Sequence, residues 1–277
     1  VYAMKAHGNQ KRASGDPYFS HPLEVAAILT DLRLDDATIA TALLHDVVED
    51  TPVTKADIDQ YFGPEIGTLV DGLTKLDKLQ FDTREENQAE SFRKMLLAMA
   101  RDVRVILIKL ADRMHNMMTL DGLPPERRIR VANETMQIYA PLAHRLGIWK
   151  LKWALEDLAF KYMEPKAYAE LSEKVKRSRR EREEELAEAS DMIKRHLATE
   201  GIEATIQARP KHLWSIYQKI IREGVDYSEI YDLAAVRVIV DRVGDCYHVL
   251  GLVHDLWMPI PERFSDYIAK PKSNMYQ

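Results

Sequence analysis

The sequence predicts an all-α domain followed by a smaller α+β domain with a mixed sheet. Three observations predict this. Apolar residues recur at helical spacing up to about residue 160, and glycine and proline fall between the periodic segments. A stretch from about 164 to 199 is dense in charges of both signs and carries Leu171, Val175, Leu186, Ile193 and Leu197 at helical spacing, as in a long solvated helix. Past Gly201 the period changes to that of strands. The expected division is 1–160, a helical linker over 161–200, and 201–277, with the change of class near 195–202.

The elements follow in order. Pro22 suits the first turn of a helix running through Leu29. Asp35-Asp36 is placed to cap a helix carrying Ile39, Leu43, Leu44 and Val47, which Thr51-Pro52 ends. Helical patterns continue at roughly 54–62, 64–76, 86–100, 102–118, 125–140 and 150–163. Ile202-Glu203-Ala204-Thr205-Ile206 alternates like a strand, and Ala234 to Val240 is a β-branched run. Helices are expected between them at 213–222, and after them at about 246–257.

Composition narrows the class. The chain has 277 residues, and 46% hydrophobic content is too apolar for a disordered chain. With 39 basic and 44 acidic residues the net charge is −5, which gives no global footprint for nucleic acid. Cys246 stands alone, so no intrachain disulfide forms, as expected of a cytoplasmic protein. No stretch approaches the roughly 18–20 apolar residues of a membrane helix, and Val1 to His7 lack a signal peptide's apolar core. Without an initiator Met, and stopping at Gln277, the chain is expected to be a fragment.

Four residues stand out as metal ligands: His21, His45, Asp46 and Asp112. On one helix, positions 45, 46, 49 and 50 would share an arc of about 140°, placing an imidazole and three carboxylates on a face costly to bury without a cation. Asn116 and Thr119 follow Asp112 at helical spacing. Such a mixed nitrogen and oxygen set suits Mn²⁺, Fe²⁺ or Zn²⁺. The plainer alternative is a hydrogen-bonded His-Asp pair, and spacing alone leaves both open. His7, His144, His196, His212, His248 and His254 are alternative ligands.

In the second half, Arg209, Lys211 and Lys219 lie where a strand runs into a helix, a place able to cradle polyphosphate or simply to form a solvated basic helix end. Asp232 precedes the β-branched run, where it would hold Mg²⁺ or cap a turn.

Three stretches in this order resemble the RelA/SpoT (Rel) family: Arg12 to Pro22, Leu44 to Thr51, and Lys109 to Asn116. Its members are bifunctional enzymes that make and destroy the alarmone (p)ppGpp, and the pattern His21, His45-Asp46 and Asp112 resembles that of HD-domain phosphohydrolases. The resemblance implies an HD hydrolase domain over 1–160 in which His21, His45, Asp46 and Asp112 bind Mn²⁺. Glu49 and Asp50 would act on the attacking water, and Arg12, Ser14, Asn116 and Thr119 would hold the nucleotide. Ala13 departs from members that carry a basic residue there.

The same resemblance implies a nucleotidyltransferase-like synthetase domain over 201–277. Arg209, Lys211, Ser215 and Lys219 would contact ATP, Asp232 would bind Mg²⁺, and Arg263, Lys272 and Tyr276 would bind GDP or GTP. Met275 and Ser265 depart from the family pattern. A downstream acidic strand of the family lies past Gln277, so this domain is expected to be C-terminally incomplete.

The implied function is hydrolysis of the 3′-pyrophosphate of (p)ppGpp and, in the intact protein, pyrophosphoryl transfer from ATP to the 3′-OH of GDP or GTP, in the stringent response. Ribosome contact would run through an absent C-terminal region, with no membrane and no direct DNA binding. The alternatives are an HD-domain nucleotide phosphohydrolase with a degenerate second domain, and a non-catalytic alarmone-binding module.

Overall fold

Apolar spacing and capping residues build the first part of the chain as short helices gathered around one long central helix. The structure is a computed structural model. It describes residues 1–12, 15–77, 102–210, 212–224, 226–227, 230 and 234–271, with the backbone alone at 77, 176–183, 185, 208–210, 234 and 263. It divides into two units, Val1–Glu170 with His212–Trp214, and Leu171–Lys211 with Ser215–Gln277. Among the described residues no helix is long and apolar enough to cross a membrane.

In the first unit the helices are α1 (Tyr2–His7), α2 (Ser20–Asp31), α3 (Asp36–Leu44), α4 (Val47–Asp50), α5 (Lys55–Phe62) and α6 (Pro64–Asp77). Then come α7 (Val103–Met118), a 3-10 turn (Leu120–Gly122), α8 (Pro125–Glu134), a π turn (Thr135–Tyr139), α9 (Ala140–Arg145) and α10 (Trp149–Met163). Local chemistry sets the starts. Thr54 and Asp57 form a reciprocal capping box at α5, and Asp102 accepts from the Arg104 amide at the start of α7. The helix expected at 86–100 lies outside the described residues.

The central helix α7 packs against α2, α3, α6 and α10. Its Ile106, Ile108, Leu110 and Ala111 have no exposed surface. Burial of a side chain such as Ile or Leu contributes about 1.5–3 kcal/mol, so this apolar face anchors the polar one described below.

Two expectations about the first unit change. The single helix expected from 36 to about 50 is interrupted at His45-Asp46, between α3 and α4. The helix expected at 125–140 runs on to Arg145, through the π turn that seats buried Thr135, Ile138 and Tyr139.

In the second unit the elements are α11, which starts at Pro165 in the first unit and runs unbroken to Thr199, β1 (Thr205–Pro210), α12 (Leu213–Glu223), β2 (Ala234–Ile239) and α13 (Val243–Leu256). Residues 213 and 214 of α12 fall in the first unit. The described strands pair antiparallel, with Thr205 opposite Ile239 and Pro210 opposite Ala234. Ile206, Val236 and Val238 face a core completed by Ile193 and Leu197 of α11 and Val249 of α13.

The strand expected at 202–206 begins at Thr205 instead, and the end of α11 explains the shift. Gly201 takes φ 68, its amide donates to Ala198 O, and the Ile202 amide donates to Leu197 O. That is a Schellman close, and it commits Ile202 to the helix end rather than to the ladder. The same pattern closes α2 at Arg33, a non-glycine residue at φ 58.

A Cβ at Gly201 meets nothing within 4 Å, so Gly201→Ala carries only the backbone cost of the left-handed region, about 1–2 kcal/mol. Hydrogen exchange at the Gly201 and Ile202 amides should accelerate about 5–30-fold. Arg33→Gly should act in the opposite direction, raising stability by a few tenths to about 1 kcal/mol in urea unfolding. Equal exchange in wild type and Gly201→Ala would show that the helix end opens without unwinding this turn.

Candidate metal centre

The break between α3 and α4 meets the start of α2 and the middle of α7. His21, the second residue of α2, is buried, as are His45 at the break and Asp112 in α7. His45 and Asp46 keep right-handed backbone angles (φ −60, ψ −36 and φ −92, ψ −8), yet the hydrogen-bond pattern of a continuous helix lapses there. Asp46 O accepts from the amides of Glu49 and Asp50 and so starts α4. The four residues 45, 46, 49 and 50 therefore do not share one straight helical face, and His45 and Asp46 turn inward together.

Donor atoms of His21, His45 and Asp46 lie within 4.8 Å of one another. His45 Nε2 is 3.1 Å from Asp46 Oδ1, and His21 Nε2 is 3.8 Å from Asp46 Oδ2. Asp112 joins from the side of His21, with Oδ1 3.0 Å from His21 Nε2. Its other oxygen pairs with Lys109 Nζ at 2.7 Å, and Asn116 Nδ2 donates to Oδ1 at 2.6 Å.

His45 provides the test for a cation. Its Nδ1 contacts Ala42 O at 2.7 Å, and a carbonyl only accepts, so Nδ1 carries the proton. Nε2 of the neutral ring is then a lone pair. It is buried and has no hydrogen-bond partner, although Asp46 Oδ1 lies close. A lone pair facing a carboxylate oxygen at that distance is repulsive unless a positive charge lies between them. Two imidazoles and carboxylates fit a divalent cation there.

The surrounding charges agree. Burial alone would raise the Asp112 carboxyl, but Lys109 and the His21 and His45 imidazoles outweigh it and hold the group well below the usual carboxylate range. Burial, together with His21 and Arg12, lowers the His115 imidazole to about 4, so His115 is neutral at pH 7. Burial pushes the Tyr18 phenol far up, and Asp46 and Asp50 add to the shift, so its hydroxyl keeps its proton.

The structure brings most of the expected hydrolase residues together. Arg12 reaches α7, where Nη2 donates to Asn116 Oδ1 at 2.6 Å. Asp50 is tied in through Tyr18, whose hydroxyl lies 2.5 Å from Asp50 Oδ2 and 2.8 Å from Asp46 Oδ2. Glu49 is exposed on α4. Thr119 ends α7, and its hydroxyl donates to His115 O at 3.1 Å. Ser14 lies outside the described residues.

Three residues of the cluster went unassigned in the sequence: Tyr18, Lys109 and His115. The signal was present for two of them, since Lys109 and His115 lie three positions either side of Asp112 and so share its helix face. Tyr18 is linked only through the folded loop. It stacks on buried His7 at 4.5 Å between centroids, and the Tyr18 amide donates to Gln10 O.

The second unit gives less. Ser215 and Lys219 lie one turn apart on α12, and Lys219 Nζ is 4.0 Å from Glu223. Arg209 lies in β1 opposite Ala235, with only its backbone described. The side chain of Arg263, and all of Lys211, Asp232, Lys272 and Tyr276, lie outside the described residues.

Comparison with known proteins follows this geometry. Residues 1–149 match the HD domain family, and residues 208–277 match the region found in RelA/SpoT proteins. The chain is 52% identical over its whole length to a probable guanosine-3′,5′-bis(diphosphate) 3′-pyrophosphohydrolase of Synechocystis sp., covering 36% of that protein. It is 50% identical to a GTP pyrophosphokinase of Myxococcus xanthus and 52% identical to the GTP pyrophosphokinase rsh of Brucella ovis, covering all of this chain and 37% of each relative. The chain thus spans little more than a third of the length of these relatives.

Lys109→Met tests the electrostatic account. It removes the largest influence opposing burial, so the Asp112 carboxyl should titrate higher, as read by carboxyl ¹³C shifts. Because the folded pKa of Asp112 is depressed, its contribution to stability is present above the unfolded value of about 3.9 and is lost as pH falls through the folded value. The variant should therefore lose about 3–5 kcal/mol near neutral pH, as expected when a buried charge loses its partner. An unmoved titration would mean that the imidazoles alone keep Asp112 ionised.

Proposed function

We propose a function from one premise: the chain belongs to the HD-domain family and, by its second match, to the RelA/SpoT proteins. Its first unit hydrolyses the 3′-pyrophosphate of (p)ppGpp, giving GDP or GTP and pyrophosphate. The observation that carries this is the buried His21, His45 and Asp46 cluster with an unpartnered imidazole nitrogen inside it. Two of the relatives are named for opposite directions of alarmone chemistry, which supports a bifunctional protein.

The division of labour follows from contacts. His21, His45, Asp46 and Asp112 would hold Mn²⁺. The ion would supply charge that polarises a phosphoryl oxygen and acidifies water. Glu49 and Asp50 lie just beyond the ligands and take the proton of the attacking water. The water oxygen bonds to the phosphorus next to the ribose 3′-oxygen, and the bond from that phosphorus to the 3′-oxygen breaks. The 3′-oxygen leaves and gains a proton, and pyrophosphate departs. Arg12, whose guanidinium meets His115 and Asn116, holds the nucleotide with Ser14, Asn116 and Thr119. Tyr18 bridges Asp46 and Asp50, which keeps a ligand and a proton acceptor in fixed relation.

For the second unit the proposal is the family's synthesis step, pyrophosphoryl transfer from ATP to the 3′-OH of GDP or GTP. Arg209, Lys211, Ser215 and Lys219 contact ATP, Asp232 holds Mg²⁺, and Arg263, Lys272 and Tyr276 hold the acceptor nucleotide. The spacing of Ser215 and Lys219 along one side of α12 supports this.

Two variants test the hydrolase reading. Asp112→Ala should abolish Mn²⁺-dependent release of pyrophosphate from (p)ppGpp while helical circular dichroism persists; full turnover in the folded variant would end the assignment. Glu49→Gln should keep Mn²⁺ affinity in calorimetry and lose about 10²–10⁴-fold in rate, the span of general acid–base catalysis. A collapse of metal affinity instead would make Glu49 a ligand.

A further inference from the structure

One buried contact beside the candidate metal centre is not explained by the expected ligands or nucleotide contacts. His21 Nδ1 lies 2.7 Å from His115 Nδ1, and both rings are buried. Two imidazole nitrogens at that distance must share one proton, since two lone pairs or two N–H groups would repel.

A third group decides which ring carries it. Arg12 Nη1 lies 3.0 Å from the same His115 Nδ1, and a guanidinium can only donate. Arg12 is itself fixed, because its Nη2 donates to Asn116 Oδ1. Asn116 is in turn oriented by the hydrogen bond from its Nδ2 to Asp112. His115 Nδ1 is therefore a lone pair shared by two donors, and the proton of the His21–His115 contact belongs to His21 Nδ1.

The consequence falls on the other side of the His21 ring. With Nδ1 protonated, Nε2 is the nitrogen left to offer a lone pair, and it faces Asp112 Oδ1 at 3.0 Å and Asp46 Oδ2 at 3.8 Å. His45 reaches the same orientation through a backbone carbonyl, Ala42 O. His21 reaches it through a side chain, so its orientation is open to substitution.

We propose that His115 is a positioning residue of the metal centre: its Nδ1, kept an acceptor by Arg12, holds the proton of His21 on Nδ1 and so presents His21 Nε2 to a divalent cation. This rests on the metal-centre reading above. It assigns His115 no contact with the cation or the nucleotide.

The experiment uses Mn²⁺ alone, without nucleotide, on the full 277-residue chain. His115→Leu removes the acceptor. His115→Asn keeps one, because its side-chain oxygen takes the place of Nδ1. In calorimetry His115→Leu should bind Mn²⁺ about 10–100-fold more weakly than wild type, the usual cost of losing a partner that orients a metal-bound histidine, and His115→Asn should stay within about threefold. Long-range ¹H–¹⁵N spectra of the metal-free protein should show His21 protonated at Nδ1 in wild type and His115→Asn. His115→Leu should move the proton to Nε2. A purely space-filling role would leave both the tautomer and the Asn rescue without effect.

Unchanged Mn²⁺ affinity in a folded His115→Leu overturns the proposal. So does a wild type in which His21 is protonated at Nε2 alone, a measurement that needs no variant to fold. A wild type that binds no Mn²⁺ overturns the metal-centre reading first, and is told apart because the failure appears before any substitution at residue 115.

Discussion

The Asp112 carboxylate must stay charged although it is buried in the central helix of the first unit. An ion in that position is tolerable only when compensated, because the loss of water costs several kcal/mol per charge. Compensation here comes largely from the turns on either side of it. Lys109 lies one turn before Asp112 and Asn116 one turn after it, and both bond to it. His21 closes the remaining side from α2. Ile106, Ile108, Leu110 and Ala111 of the same helix have no exposed surface. Burial on several sides of α7 thus fixes the helix that carries Asp112.

The irregular turns serve the same end. The hydrogen-bond pattern lapses between α3 and α4 at His45-Asp46, Asp46 O starts α4, and Ala42 O orients the His45 ring. Behind α7, the π turn supplies Tyr139, whose ring lies 4.0 Å from the Arg113 guanidinium, and Thr135, whose hydroxyl meets Met117. Arg113 also pairs with Glu134 at 2.8 Å. Residues next to Asp112 and His115 are therefore held from the side away from the cluster.

Sequence made the helices legible because burial follows apolar spacing: Val25 and Leu29 of α2 and Leu69 and Leu73 of α6 are buried one turn apart. It singled out His21, His45-Asp46 and Asp112 as candidate ligands because they sit in recognisable motifs. The break at His45-Asp46 was not legible. Leu43, Leu44, Val47 and Val48 continue a helical pattern straight through it, and periodicity reports which residues are buried rather than which hydrogen bonds form. Tyr18 was hidden because its partners are 28 and 32 residues away. His115 was hidden for another reason. Its role depends on which nitrogen holds a proton, a property set jointly by Arg12 and His21 that no single-residue pattern encodes. In the second unit the alternation around Ile206 marked a strand, yet Gly201 and Ile202 belong to the helix end, so the strand begins only where a partner strand lies opposite.

Polar satisfaction around the cluster narrows where a cation would sit. Asp112 is covered by Lys109 and Asn116. Asp50 Oδ2 and Asp46 Oδ2 both face the Tyr18 hydroxyl, whose single proton they share. His21 is engaged at Nδ1 by His115, and His45 at Nδ1 by Ala42 O. What is left among these atoms is His21 Nε2, which faces Asp112 Oδ1 at 3.0 Å, and the pair of His45 Nε2 and Asp46 Oδ1, 3.1 Å apart. A proton there would make His45 an imidazolium buried beside one carboxylate. A divalent cation would satisfy these atoms together, since donor atoms of His21, His45 and Asp46 lie within 4.8 Å of one another. It would complete what the donors and acceptors named here leave open, and the orientation of the two imidazoles is what would make that place favour a positive ion.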